Sequence, residues 1–393
     1  MTGTGESIKQ SEVVKLFPRI WVLLVVVFSI ILAISYKSEA QDTGWEHIEA
    51  CAGLPSAAPE TPFDGLLVMV GSDAARAFRD EVATTYVLSF AGGNFVSAGA
   101  VSPDGKFYAV PNGVITTVSS SDVRYTVQEI RILTTETVPR IVERIPWRAS
   151  FPYGTRFTSS GDIPPIQWLD GDTIQFVNGT ISDGHTPVQV DVFEGGEMRI
   201  AKGYPALAVS PDRSRALAIR SGGLALIDTA TTGVLATLPP VPHGAFQAAW
   251  SPDGAQLALT SVERGGIALR LYRGDAAESE SVVSLPPEEI LWNLRWSPDG
   301  TQLAFTSFDP QTNENRLHIA DAGARTVTDT CLPLVSDVDG KPFAALAWSP
   351  DSTRIAVLTA QTSAQPQTQI YAIEGRTRYT LAPAAGRLLG WYP

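Results

Sequence analysis

Short apolar runs broken by turn residues dominate the chain from residue 63 onward. In one stretch, Gln256–Ser261, Ile267–Tyr272 and Ser281–Leu285 alternate or cluster apolar and β-branched residues, and Ile290–Trp296 follows after a further break. Runs of this length, separated by Gly, Pro, Asp and Ser, predict short β-strands rather than helices. Four such strands make one sheet, and the pattern recurs. Before residue 63 the only long apolar run is different in kind. Residues 20–36 read IWVLLVVVFSIILAISY and carry no charge.

The recurrence is marked by a turn. It appears as VSPDGKFYAV from Val101, WLDGDTIQFV from Trp168, VSPDRSRALAI from Val209, WSPDGAQLALTS from Trp250, WSPDGTQLAFTS from Trp296 and WSPDSTRIAVLT from Trp348, and the chain ends on Trp391-Tyr392-Pro393. Pro presets φ in a tight turn, Asp bonds nearby amides, and Gly reaches open backbone conformations. Successive first residues stand 67, 41, 41, 46, 52 and 43 apart. A period of this size with several short strands per unit predicts a β-propeller of four-stranded blades.

Structural positions of the repeat are Asp104, Trp168, Asp212, Trp250, Asp253, Trp296, Asp299, Trp348, Asp351 and Trp391. The tryptophans are expected to pack between blades. The last segment, residues 388–391, lacks outer strands. Residues 65–70 and 84–90 are expected to supply them and so close the ring. That arithmetic gives seven blades, with six and eight left open by the long first unit, whose candidate strands are 125–133 and 138–145.

The Trp-Ser-Pro-Asp-Gly-x-x-Leu-Ala-Phe unit resembles the TolB-type, WD-like propeller repeat, over roughly residues 63–393. The resemblance implies a protein- or peptide-binding propeller. It departs from TolB in having no room before the ring for an α/β domain, and from propeller peptidases in having no room for a hydrolase domain.

The apolar run 20–36 favours the bilayer by about 4–7 kcal/mol from its Ile, Leu, Val and Phe residues. Lys9, Lys15 and Arg19 precede it, which orients the N-terminus to the cytoplasm. The expected organisation is therefore a cytoplasmic tail (1–19), a transmembrane signal anchor (20–36), a linker (37–62) and an extracytoplasmic propeller (63–393). A cleaved signal peptide is the rival reading, since residues 38–40 offer a small-residue cleavage site.

The net charge of −12 opposes binding to nucleic-acid phosphates. Cys51 and Cys331, the only cysteines, form no metal motif and are read either as a disulfide between linker and ring or as two buried thiols. No nucleophile elbow or paired metal-binding histidines occur, and no catalytic residue, metal or cofactor is expected. His318 reads as a packed or edge residue, and Asn178-Gly179 as a hairpin turn. Loops entering the innermost strands carry Phe95, Tyr204, His243, Trp292 and Phe343, the candidate binding residues at the channel mouth. The function expected is a non-enzymatic scaffold that holds a protein or peptide, as an accessory subunit of a membrane complex. The alternative is a carbohydrate-binding or carbohydrate-active propeller using the central channel.

Overall fold

The computed structural model describes residues 44–51, 65–70, 75–79, 82–84, 100–102, 106–119, 122–134, 140–153, 166–168, 171–180, 186–195, 197–199, 206–220, 223–238, 247–263, 266–273, 278–286, 289–334, 346–359, 367–383 and 387–392. The chain divides into two units, 1–44 and 45–393. Among the described residues no helix is long and apolar enough to cross a membrane; the expected span 20–36 lies outside them.

The second unit is built of strands. β1 (Glu46–Glu49) stands apart from the repeat. β2 (Leu66–Val70), β3 (Ala75–Arg79) and β4 (Val82–Thr84) come next. They are followed by β5 (Ala100–Val101), β6 (Phe107–Ser119), β7 (Asp122–Thr134) and β8 (Ile141–Tyr153). Then come β9 (Gln167–Trp168), β10 (Thr173–Thr180), β11 (Thr186–Asp191) and β12 (Glu197–Arg199). The regular part holds β13 (Ala206–Val209), β14 (Arg215–Arg220), β15 (Gly223–Asp228), β16 (Val234–Thr237), β17 (Ala248–Trp250), β18 (Gln256–Glu263), β19 (Gly266–Arg273) and β20 (Ser279–Leu285). It continues with β21 (Ile290–Trp296), β22 (Gln302–Asp309), β23 (Glu314–Asp321), β24 (Thr326–Pro333), β25 (Leu346–Trp348), β26 (Arg354–Thr359), β27 (Gln367–Ala372) and β28 (Thr377–Pro383), and ends on β29 (Arg387–Tyr392).

Strands β13–β16, β17–β20 and β25–β28 are four-stranded antiparallel sheets, and β21–β24 is a fourth such sheet carrying β1 as an added outer strand. β29 pairs with β2, Leu67 opposite Trp391, so the last described strand completes a sheet begun near the other end of the propeller. Sharing one sheet between the two ends removes an exposed edge and locks the ring. The outer strands there are β3 and β4; residues 85–90 lie outside the described residues.

First strands of neighbouring sheets touch in order: β13 with β17, β17 with β21, β21 with β25, β25 with β29 and β29 with β5; β5 also meets β9 within the eight-stranded sheet, and β11 meets β13. The sheets therefore stand around a common axis with their first strands inward. This is a β-propeller arrangement.

Three expectations need correction. The seven separate blades are replaced by five sheets of four or five strands and one eight-stranded sheet, β12-β11-β10-β8-β7-β6-β5 with β9 on β10. The cause is length. β6, β7 and β8 each run 13 residues, and the far end of β8 reaches β10, pairing Ala149 with Gly179 and Ser150 with Thr180 in parallel. The same contact keeps Asn178 and Gly179 inside β10, with Asn178 opposite Thr186, where a hairpin turn was expected. Blade boundaries also shift: Ile290–Trp296 pairs with β22 in the next sheet, and β17 supplies the fourth strand beside β18–β20.

Apolar side chains from facing sheets interdigitate. Leu269, Leu271 and Val282 of one sheet meet Leu291, Trp296, Leu303 and Phe305 of the next. Ala304, Leu317 and Ile319 then meet Trp348, Ile355 and Tyr371. Each strand here is covered on both faces, which explains the near-continuous apolar runs in its sequence.

Candidate functional site

The repeat turn is centred on a residue the sequence reading passed over. Ser251 is fully buried. Its hydroxyl donates to Asp253 Oδ1 at 2.6 Å and accepts from the Gln256 backbone N–H at 2.9 Å. The Asp253 carboxylate accepts the Ala255 N–H at 2.9 Å. Ser210, Ser297 and Ser349 repeat the arrangement with Asp212, Asp299 and Asp351 at 2.5, 2.6 and 2.5 Å. Ser102 keeps the backbone half of it, accepting from Phe107 N. The signal was available, since Ser precedes Pro-Asp in five repeats. Asp104 lies outside the described residues.

These carboxyls are held below the ordinary aspartate range. For Asp212 and Asp253 the serine hydroxyl is the main cause. For Asp299 and Asp351 burial is the strongest single influence and acts upward, but the serine hydroxyl and turn N–H groups together outweigh it.

The tryptophans lie between sheets and do more than fill space. The indole N–H of Trp296 donates to Ala249 O at 3.0 Å, that of Trp348 to Arg295 O at 2.9 Å, and that of Trp168 to Ala100 O at 3.0 Å. Each acceptor lies one residue before the first position of the preceding repeat; Ala249 and Arg295 belong to the preceding sheet, and Ala100 to the same eight-stranded sheet as Trp168. Trp250 breaks the series: its buried Nε1 has no acceptor. The β13–β14 register slips between Ala206 and Ala208, where the equivalent carbonyl would be, and the Arg215 guanidinium covers the ring instead, 5.1 Å from its centroid. Trp391 is buried in β29.

Of the channel-mouth candidates, Phe95, Tyr204, His243 and Phe343 lie outside the described residues. Trp292 lies in β21 opposite Thr306. In chain order Phe95 precedes β5, Tyr204 precedes β13, His243 precedes β17 and Phe343 precedes β25.

The most distinctive chemistry sits on the outer rim. β1 adds in parallel to β24, with Glu46 opposite Thr326 and Glu49 opposite Asp329. Its backbone is tied at both ends, Glu46 N to Arg325 O at 2.9 Å and Ala50 N to Asp329 O at 3.0 Å. Trp45 is buried to 4% exposure within the apolar cluster shared by the β17–β20 and β21–β24 sheets. At the other end Cys51 and Cys331 are bonded, S–S 2.05 Å, across 280 residues. Cys331 sits at φ +52°, past a register slip between Arg316 and His318 on the partner strand. A bulge of this kind re-aims a side chain, here toward Cys51. Part of the stretch expected as linker is thus a docked strap.

The Glu49 carboxylate approaches both sulfurs, at 3.8 and 3.9 Å. Neither sulfur carries a proton, so these are contacts rather than hydrogen bonds. The Glu49, Cys51 and Cys331 ligand atoms lie within 4.8 Å of one another, but sulfurs bonded to each other are not the thiolates a soft metal requires. Beside the strap, His318 Nε2 and Ser307 Oγ are 2.7 Å apart, and the imidazole stacks on Phe305 at 5.1 Å. Burial, the main cause, lowers the His318 pKa to about 4. His318 is thus a packed, neutral group at physiological pH.

No family model matches the sequence, and no curated protein matches it. Solved structures do share the fold. A protein from Lactobacillus plantarum aligns with TM-score 0.52 at 12% identity, over 84% of this chain and 98% of its own. The dihydro-heme d1 dehydrogenase NirN aligns with TM-score 0.51 at 14% identity, over 88% of this chain and 78% of that one. TolB from Acinetobacter baumannii aligns with TM-score 0.45 at 16% identity, over 84% and 82%; that overlay is too loose to carry an argument.

Proposed function

We propose that this chain is a membrane-anchored, extracytoplasmic propeller of TolB-like type that holds a protein or peptide partner without catalysing a reaction, as an accessory subunit of a membrane complex. The observation that supports this reading best is the Cys51–Cys331 bridge. Disulfides persist in oxidising compartments, which is where the positive residues before 20–36 would deliver everything after that segment. The anchor would enter the cytoplasmic membrane once, with residues 1–19 inside and 37–44 as the tether to the strap.

The partner-binding face is the one at which innermost strands begin, where Phe95, Tyr204, His243, Trp292 and Phe343 come together in chain order. Aromatic rings, with polar tips on Tyr204, His243 and Trp292, suit a peptide or protein surface.

The test is a mild-detergent purification of the full-length protein from its native membranes, with quantitative mass spectrometry of what accompanies it. A stoichiometric protein that survives high salt is the expected result. Recovery of the chain alone would contradict the scaffold reading.

A further inference from the structure

We infer that the strap 45–51 is exchangeable between copies of this chain, so that one copy's strap docks on the β24 edge of another and the Cys51–Cys331 bond forms between them. The site that receives the strap belongs wholly to the β17–β24 region: the open edge of β24, the apolar cluster around Leu269, Leu291 and Phe305 that takes Trp45, and Cys331 on its bulge. The strap arrives from far away in sequence, and every contact it makes is one an identical segment from a second copy reproduces. A second copy offers the same segment to the same site.

The strap leads through residues 52–64 to β2, which lies in a different sheet from β24. Thirteen residues reach up to about 45 Å when extended, enough to cross to a ring lying alongside. Exchange of an identical element is a low-cost route to a dimer. The noncovalent hold on the strap is small, four paired residues and one buried indole, so the bond is the lock.

Opening it needs an external dithiol. A thiolate attacks the sulfur of Cys51, which is exposed, and Cys331 leaves as thiolate. The second thiol of the reagent then releases Cys51 and the reagent ends as its own disulfide. Reclosure in trans transfers two electrons from Cys51 of one copy and Cys331 of the other to a disulfide oxidant, oxidised glutathione, which becomes two thiols. None of this depends on the membrane or on the partner proposed above.

The experiment mixes full-length chains of natural and heavy nitrogen in detergent, opens the bridge with dithiothreitol, reoxidises with oxidised glutathione and digests without reduction. The expected result is Cys51–Cys331 peptide pairs of mixed isotope, rising with protein concentration toward half of all pairs, and absent from an unreduced mixture. Trp45→Ala should lower the yield of Cys51–Cys331 pairs several-fold, in single and mixed isotope alike. Pairs of single isotope at every concentration would overturn the inference. So would Cys51–Cys51 and Cys331–Cys331 pairs in equal proportion, or indifference to Trp45→Ala, since either result would mean undirected oxidation.

Discussion

The indole N–H of Trp348 donates to the backbone carbonyl of Arg295, 2.9 Å away in the preceding sheet. The bond adds to the apolar packing and to the Asp299 N–H bond to the Ser352 hydroxyl that also join these two sheets, and it recurs at Trp296 and Trp168. It gives the repeat tryptophan a directional role, fixing how far each sheet slides against the next.

Trp348→Phe should destabilise the propeller by about 2 kcal/mol, combining a lost hydrogen bond, an unpaired carbonyl and reduced packing. Trp250→Phe should cost less, because the buried N–H it removes has no acceptor. Urea unfolding of the two variants measures the difference. Equal losses would show that the indole bond contributes nothing beyond ring volume.

Ser297→Ala removes the hydroxyl that faces both Asp299 and the Gln302 N–H. Leaving those groups short of a partner in a buried turn should cost about 1–3 kcal/mol. Denaturation midpoints check the size. The Asp299 carboxyl should also titrate higher in the variant, which NMR titration would read.

Two turns place a side chain where glycine sits elsewhere. Gly254 and Gly300 adopt φ +69° and +73°, and the equivalent residues Arg213 and Ser352 adopt +63° and +62°. L-residues pay roughly 1–2 kcal/mol there. Arg213→Gly should therefore raise stability by about 0.5–1 kcal/mol after the entropy cost of glycine. Ser352→Gly should gain less, because the Ser352 hydroxyl accepts the Asp299 N–H from the neighbouring turn. Thermal unfolding of both variants gives the ranking.

Acid should act in two stages. His318 is lowered from 6.5 to about 4, so its contribution is complete above pH 6.5 and erodes as pH falls toward 4. Asp212, Asp253, Asp299 and Asp351 lie below their ordinary 3.8. Their contribution is present above about pH 3.8 and is lost as pH falls through the lower folded values. Melting temperature against pH should show both limbs, and His318→Asn should remove the upper one. A profile flat from pH 7 to 4 would mean that the imidazole takes up its proton at no cost in the fold.

The sequence made the ring legible because its repeat is carried by local chemistry. Pro, Asp and Gly at a turn, and apolar runs flanking it, can be read without knowing what they touch. Trp168, Trp296 and Trp348 were visible as interblade residues, but their hydrogen bonds were not, since each acceptor is a backbone carbonyl of another repeat. The join between β8 and β10 was hidden for the same reason. It depends on where Ala149 and Gly179 meet in space, and strand length alone does not say that. The strap was the hardest to find. Glu46–Glu49 has no strand-like alternation, and only its nearness to Cys51 hinted that residues in an expected linker had a fixed place.

The central claim is that the face at which innermost strands begin holds the partner. The most direct measurement is the amount of co-purified partner in native membranes for wild type, a Tyr204→Ala/Trp292→Ala/Phe343→Ala variant, and Phe193→Ala. Phe193 is 48% exposed in the β11–β12 turn, at the opposite ends of the strands. The account predicts a tenfold or greater loss of partner in the triple variant and none in Phe193→Ala, with both proteins folded and still bridged by Cys51–Cys331. Full retention by the folded triple variant would contradict it.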